Sequence, residues 1–495
     1  MGHRIEVAQT IPDTRARVRK SDLDSMGFSE KFNNVELVDV YTIDGELSVS
    51  ELIKVESMLA NPVFQQGKID IPTRSKFDYA VEVGFLPGVT DNVGNTAREG
   101  VCDTLRRNFA GQTVYTSQMM LLSGSLSRED AQKIGASIAN PLIQRINVKS
   151  YNEFSTDGGM GINIPKVRIS ERPVAGLVDI LNAPVDELTV IGKKGIANSD
   201  GSRRGPLALD LTYMQGIQSF FRTLGRNPTD VELESLAQTW SEHCRHTIFA
   251  DAIDEFTDGL YRHFIKSATN KIRAAKGAKD FCVSVFTDNA GVIDFDERYL
   301  VTDKAETHNS PSALDPFGGS ITGIVGVNRD SIGCGLGAKP IINRFGFCFS
   351  DPTDQRPLYK GDHKTQRMLS PRRIMDGVIN GVNVGGNCSG IPTTQGFVYF
   401  DERFKGKPLV FVGTLGLIPR ESAGRVSHEK QAKPGDYIVM AGGRVGKDGI
   451  HGATFSSEAM DSGSPATAVQ IGDPITQKKL SDALVKEARD LGLYT

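Results

Sequence analysis

What this chain lacks narrows it first. Its six cysteines, at positions 102, 244, 282, 334, 348 and 388, include no C-x-x-C pair. That argues against a zinc site or a disulfide framework and leaves them mostly as small buried hydrophobes. Lys and Arg number 57 against 60 Asp and Glu, a net charge of −3, so the basic excess that nucleic-acid binding needs is missing. No stretch approaches the ~18 to 20 unbroken apolar residues of a membrane span, and residues 1–30 hold no apolar signal-peptide core. The expected setting is the cytoplasm, with neither membrane nor nucleic acid as partner. A Walker A loop is absent too. None of the Gly-Lys pairs at Gly67, Gly192, Gly406 and Gly446 precedes Ser or Thr, and Gly333-Cys334-Gly335-Leu336-Gly337 fails the dinucleotide pattern. Any ATP site must be of another type.

What is there begins with length: 495 residues, 39% of them hydrophobic, are too many for one core and suggest roughly three domains. An internal repeat organises the first third. Val40 to Ser48 followed by Leu59-Ala60-Asn61-Pro62-Val63-Phe64-Gln65 recurs as Met119 to Ser127 followed by Ile138-Ala139-Asn140-Pro141-Leu142-Ile143-Gln144, at an offset of 79 residues in both blocks. Each copy opens with a strand-like run (Arg4–Val7, Tyr79–Val83) and passes through a mixed segment to a second strand. Each then has a helix after Ser48 or Ser127 that stops before Asn-Pro, because proline biases its predecessor away from helix. Two small α/β units at 1–75 and 76–165, packed as a pair, are the simplest reading. They carry no clustered His, Cys or carboxylates and read as an interaction module without an active site.

Residues 166–225, with Pro165 just before and Pro173, Pro184 and Pro206 within, read as a linker. A helix then opens at Thr229, with Glu232 completing a capping box and Leu233, Leu236, Ala237 and Trp240 on one face that runs on to His243 and Cys244. From about 280 onward short strands, glycine-rich turns and a few helices predict an α+β or α/β domain. The last segment, 477–491, is expected to be helical with Leu480, Leu484, Ala488 and Leu491 buried.

Chemistry concentrates in Tyr299 to Ser312. As a strand, this run puts Lys304, Glu306 and His308 on one face: a cation for phosphate, a carboxylate for a hard divalent ion and an imidazole for protons. A lone Lys-x-Glu would suit a solvated edge strand equally well; His308 and the Asn-Ser-Pro turn after it favour a site. Gly319, Gly323 and Gly326 share a helical face that would let another backbone come close. Arg329 and Asp330 follow them, offering a guanidinium for phosphate and a second oxygen for magnesium. Gly386-Asn387-Cys388-Ser389-Gly390 matches the G-x-C-x-G elbow of glutaminases, but Pro392 follows too soon for the helix an elbow needs. Cys388 is expected to be a turn residue near the site.

Four stretches then match one family. Trp240-Ser241-Glu242-His243-Cys244-Arg245-His246, Glu306 to Ala313, Gly443 to Ala453 and Val469-Gln470-Ile471-Gly472-Asp473-Pro474 resemble, in order and spacing, the large subunit of phosphoribosylformylglycinamidine synthase, over about 210 to 495. The tandem module at 4–165 resembles the small subunit, duplicated and fused. The resemblance implies an α/β (α+β) fold in which the tandem units precede the first half of an aminoimidazole-ribonucleotide-synthetase-like ATP-binding domain, with an amino-terminal-type domain over 226–400 and a truncated carboxy-terminal-type domain over 401–495. It implies a ligase reaction of purine biosynthesis. ATP phosphorylates the amide oxygen of formylglycinamide ribonucleotide, and ammonia from a glutaminase displaces the phosphate. By the resemblance, His243 and His308 fall at catalytic positions and His246 and Lys304 at ATP contacts. Glu306 and Asp330 fall at Mg2+ ligands, and Thr307, His308, Asn309, Ser310, Arg329 and Gln470 at substrate contacts. The family has histidine where this chain has Ser310, and often tyrosine at His246.

It also implies partners: the glutaminase, and a carboxy-terminal half of the synthetase that continues beyond Thr495, without which the chain is expected not to turn over substrate. Competing readings are a sister ATP-binding synthetase and a non-catalytic assembly subunit. Retention of His243, Lys304, Glu306, His308, Arg329 and Asp330 together weighs against pure scaffolding.

Overall fold

The computed structural model describes residues 2–72, 75–109, 111–167, 174–198, 200–243, 246–354, 356, 368–430, 432–443, 449–457 and 469–495. The chain divides into two compact units, Met1–Glu171 and Arg172–Thr495. Among the described residues no helix is long and apolar enough to cross a membrane.

The first unit is one antiparallel sheet made by both copies of the repeat. Its elements are β1 (His3–Gln9), α1 (Thr14–Leu23), β2 (Phe32–Asp44), α2 (Val49–Leu59), β3 (Gln65–Ile69), β4 (Tyr79–Phe85), α3 (Asn92–Leu105), β5 (Thr113–Gly124), α4 (Arg128–Ile138), β6 (Gln144–Ser150) and α5 (Tyr151–Thr156). The strand order is β3-β1-β2-β5-β4-β6, each copy supplying one half. Local signals recur at the 79-residue offset. Ser48 with Glu51 and Ser127 with Asp130 form reciprocal capping boxes that satisfy orphan amides at the starts of α2 and α4. Beyond each helix the asparagine folds back on the chain: Val63 N donates to Asn61 Oδ1 (2.9 Å) and Leu142 N to Asn140 Oδ1 (3.1 Å).

Where the copies meet, β2 pairs with β5 so that Asp39 lies opposite Gln118. These are equivalent positions of the repeat, so a local two-fold axis runs between them. Ile5, Val55, Val101 and Val114 bury one part of the helix-covered face, and Leu23, Val81, Leu122 and Ile134 another. On the opposite face Arg4 is buried between two carboxylates, donating from Nε to Glu6 Oε1 at 2.8 Å and from Nη2 to Glu82 Oε2 at 2.9 Å.

The second unit starts with helices where a linker was expected. Within 166–225 lie α6 (Val185–Lys194) and α7 (Leu211–Leu224), and with α8 (Asp230–Trp240) they close a core around Leu188, Ile191, Met214, Ile217, Phe221, Leu233 and Ala237. Pro184 and Pro206 misled because they sit outside the helices. Pro184 is the residue just before α6, where a missing amide and a fixed φ do no harm. The capping box of Thr229 and Glu232 forms as expected.

After α9 (Thr247–Ala250) and α10 (Ser267–Lys276), a second sheet builds from β7 (Cys282–Ser284), β8 (Gly291–Asp294), β9 (Tyr299–Thr307), β10 (Lys339–Phe349), β11 (Thr393–Phe400) and β12 (Leu409–Pro419). The order is β11-β10-β12-β9-β8-β7, with β10 and β11 parallel and the other pairs antiparallel. With both sheets flanked by helices, the fold is α+β. Because β12 lies between β10 and β9, the sheet runs across the domain boundary expected at 400/401.

One face of this sheet is covered by α12 (Pro316–Ile332), which follows the short α11 (Asn309–Leu314), and by α13 (Pro371–Ser389). The two helices approach closely: a Cβ on Gly381 would sit 2.4 Å from the Phe317 carbonyl oxygen. At the open edge all eight residues of β11 are exposed, Phe397, Tyr399 and Phe400 among them.

Candidate functional site

Strand β9 delivers the side chains its two-residue period predicts. Thr302 Oγ1 meets Ser331 Oγ of α12 at 3.0 Å, and two residues on Lys304 Nζ lies 2.8 Å from Glu306 Oε1 and 3.5 Å from Asp330 Oδ2 in the last turn of α12. Burial opposes the Lys304 charge, but Glu306 and Asp330 outweigh it and raise its pKa. Burial, with the Glu306 charge adding to it, raises the pKa of the Asp330 carboxyl, while Lys304 and Arg329 pull the other way. Two carboxylates thus converge on one cation at a strand-helix corner. Asp303, on the opposite face, is paired with Arg344.

His308 follows the end of the strand. Its amide donates to Val410 O (2.9 Å), and its Cβ lies under α12, where a Cβ on Gly323 would come within 3.2 Å of it. Among the described residues its Nδ1 is buried without a hydrogen-bond partner. Burial pushes the imidazole pKa down to about 4, with Gly319 pulling upward and the His243 and Arg329 charges adding to the depression. This lowered pKa has a stability consequence. Below the unfolded value of ~6.5 the unfolded chain takes up a proton that the folded ring refuses until about 4. Stability is therefore lost as pH falls through that window. His308→Gln should lose at least ~1 kcal/mol less than wild type between pH 7 and pH 5 in the opening free energy of β9 and β12, read by hydrogen exchange corrected for its intrinsic pH dependence; equal losses would contradict a buried neutral imidazole.

Of the glycine stripe, Gly319 does the expected packing against a backbone, and Gly323 faces the side chains of His308 and Val412 instead. A Cβ on Gly319 would meet the Pro311 carbonyl carbon at 2.6 Å. Gly326 does not: nothing comes nearer its added Cβ than Arg329 at 3.6 Å.

His243 follows α8 on a turn that Ser241 organises: the His243 amide donates to Ser241 Oγ (3.1 Å), whose hydroxyl donates to Ala453 O (3.0 Å). Ala453 belongs to α14 (Gly452–Ser457), which also holds the ring, His243 Nδ1 lying 2.7 Å from Ser456 Oγ. The Ser456 hydroxyl also lies 3.0 Å from Ala453 O, so it can donate there while accepting from His243 Nδ1–H, the tautomer that leaves Nε2 free of a proton. Ser310 Oγ reaches Ser456 O at 3.5 Å, tying the β9–α11 corner to the same short helix. Nothing in the sequence pattern singled out Ser456.

Other expected residues are placed less centrally. Ser310 is buried, and Asn309 Oδ1 accepts from Val410 N (2.8 Å), fixing α11 to β12. Thr307 is exposed on the sheet face away from Glu306. His246, exposed and left-handed at φ 54°, precedes α9, and among the described residues no hydrogen bond or ion pair ties its ring to the corner. Arg329 and Gln470 line one cleft of about 310 Å³ with Gly442, Gly443 and Asp473. Cys244, Arg245 and Arg444 to Asp448 lie outside the described residues. Among the described residues there is no group of three or more His, Cys, Asp and Glu poised for a metal.

Cys388 is not a turn residue: it lies in the last turn of α13, which ends at the left-handed Gly390. A nucleophile elbow needs strand, turn and helix in that order, and burial raises the pKa of this thiol. Purified protein given glutamine alone should release no glutamate above blank; release abolished by Cys388→Ala would contradict this.

The last helix, α15 (Pro474–Ala483), passes into a wider π-type turn over Leu484–Ala488. The buried face lies one residue on from the expected one, at Ser481, Val485 and Arg489, while Leu480, Leu484 and Ala488 are part-buried and Leu491 is exposed. Arg489 Nη1 donates to Gly337 O at 2.8 Å.

Two family profiles match: the formylglycinamide ribonucleotide amidotransferase linker domain over residues 199–246, and the AIR synthase related protein N-terminal domain over 287–418. Subunit PurL of phosphoribosylformylglycinamidine synthase from Thermoplasma acidophilum is 37% identical over 294 residues, 59% of this chain and 35% of that one. The same subunit from Picrophilus torridus is 33% identical over 320 residues, 64% and 37%. Among solved structures, Thermotoga maritima PurL complexed with FGAR is 29% identical, covering 57% of this chain and 38% of that one at a TM-score of 0.40. The chain spans about 35% of the length of the Thermoplasma relative it matches. With the linker profile ending on the His243 turn and the AIR-synthase profile spanning the β9–α12 corner, the matched residues of this chain are similar to the amino-terminal part of the PurL subunit of phosphoribosylformylglycinamidine synthases.

Proposed function

We propose that this chain contributes part of a synthetase that converts formylglycinamide ribonucleotide (FGAR) to its amidine with ATP and ammonia. The observation that carries the reading is the corner where Lys304, Glu306 and Asp330 converge while His308 and His243 stand on adjoining elements. Phosphoryl transfer asks a protein for charge neutralisation and positioning more than for a nucleophile. Lys304, with His246 at the edge of the site, takes the ATP phosphates, and Arg329 and Gln470 in their shared cleft take FGAR. Thr307, Asn309 and Ser310 shape the turn that seats it. His308, neutral at working pH, accepts a proton from the amide or the attacking ammonia, and His243 presents Nε2 to the same reaction.

Two carboxylates without a third suit magnesium, which is held by one or two carboxylates plus substrate phosphates. Their crowding around Lys304 is the mark of a pair that wants a cation. Glu306 and Asp330 would hold the ion, and it would neutralise phosphate charge.

The tandem unit, with its two-fold axis at Asp39 and Gln118, is read as the small subunit duplicated and fused. The uncovered β11 edge suits a carboxy-terminal half of the synthetase, and a glutaminase supplies the ammonia. With that half, FGAR, magnesium ATP and excess ammonium, the chain should form ADP and amidine in equal amounts, and His243→Ala should abolish both. ADP without amidine, or amidine formation indifferent to His243→Ala, would overturn the proposal.

A further inference from the structure

We infer that Glu234 is a positioning residue that sets the His243 ring through His451 and α14. Glu234 and Gln238 are one turn apart on α8, beside the face that packs into the core. Both Glu234 carboxylate oxygens and Gln238 Nε2 are buried, and among the described residues none has a hydrogen-bond partner. His451 Nδ1 shares that condition and lies 3.4 Å from Glu234 Oε2, near enough to be drawn in by a proton but too far for a made bond. Four unsatisfied polar atoms in one buried cluster are unusual in a native fold and ask for a role.

The cluster sits at the root of α14. His451 holds a left-handed backbone at φ 66°, costly for a residue with a side chain. Its carbonyl receives Phe455 N (2.8 Å) and Thr454 Oγ1 (2.9 Å), closing the first turn of the helix. The same short helix holds His243 from two sides, Ser456 Oγ on the ring and Ala453 O on the Ser241 hydroxyl. A shift of His451 therefore moves the group that fixes the His243 tautomer.

Burial, with Asp230 adding to it and Arg204 opposing, raises the Glu234 pKa to about 7, and burial lowers that of His451. Among the described residues the charged and titratable groups facing Glu234 are Arg204, Asp230 and His451. Near neutrality Glu234 changes between a protonated form that would be drawn to donate to His451 Nδ1 and an ionised form that would draw a proton on it. This deepens the reading above, and its test is read on the ring, not on turnover, so either can fail alone.

Long-range proton–nitrogen NMR of the full chain labelled in histidine would report the tautomer and titration of each ring, with His243→Gln and His451→Gln assigning the signals. We expect wild-type His243 to favour Nδ1–H by about 10:1 and to show an extra inflection near pH 7. Glu234→Gln, which keeps a hydrogen bond but cannot titrate, should retain the tautomer and lose the inflection. Glu234→Ala and His451→Gln should bring the ratio toward about 1:1. Thermal melts identify variants that fail to fold, and Glu234→Gln decides the matter if the others do. A His243 titration identical in wild type and the folded variants would overturn the inference.

Discussion

Lys304→Ala should weaken binding of a non-hydrolysable magnesium–ATP analogue by about 100-fold, because the side chain does two things at once. A charge-assisted contact to phosphate is worth about 1.5–3 kcal/mol, and its removal also leaves Glu306 and Asp330 facing each other without the ammonium that now lies 2.8 Å and 3.5 Å from them. A polyphosphate would then approach two uncompensated carboxylates. Lys304→Arg keeps the charge and should recover most of the loss, though a planar fork replaces a compact ammonium. Titration calorimetry on the purified chain measures both. A change within ~3-fold for Lys304→Ala, well under the range of one charge-assisted contact, would reduce Lys304 to a counterion of its neighbours.

The largest stability effect is expected in the first unit, at Arg4. Its guanidinium is almost fully buried and paired with two carboxylates that are themselves buried, Glu6 and Glu82, and it also reaches Gly161 O at 3.1 Å. Truncating one partner of a buried ionic cluster leaves uncompensated charge and typically costs about 3–5 kcal/mol. Arg4→Leu is placed in that range, and Arg4→Leu combined with Glu6→Leu and Glu82→Gln should be less destabilised than Arg4→Leu alone. Since a chain of two units has no single unfolding free energy, the readout is hydrogen exchange in β1, β2 and β4, which reports opening of that sheet. Unchanged protection there would mean that water reaches the cluster freely.

The sequence carried this fold where signals are local. Capping boxes at Ser48, Ser127 and Thr229, the stops at Asn61 and Asn140 and the period of β9 each depend on neighbours within a few residues, and each was legible. Register is not local. Nothing in the strand at 113–124 says that Gln118 will face Asp39 across a two-fold axis, because that depends on which edge the second copy offers. The prolines at 184 and 206 read as breakers because their position relative to a helix start shows only once the helix is known. In the last helix the buried face sits one residue on from the leucine spacing, on Ser481, Val485 and Arg489, because the packing partner and not the apolar period sets which side turns inward. In the site, Lys304, Glu306 and Asp330 were recoverable because two share a strand and the third closes the glycine-bearing helix beside it. Ser456 and His451 were not: Ser456 meets His243, and His451 meets Glu234, across more than 200 residues of sequence, and contact at that separation leaves no periodic trace.

The account stands most directly on whether this chain holds FGAR. Calorimetric titration of the purified protein with FGAR, beside Arg329→Ala and Gln470→Ala, should give saturable binding of one equivalent that each substitution weakens by about tenfold, the worth of one good polar contact of ~1.4 kcal/mol. No heat of binding from folded wild-type protein, or binding untouched by both substitutions, would contradict the placement of the substrate in the cleft beside α12.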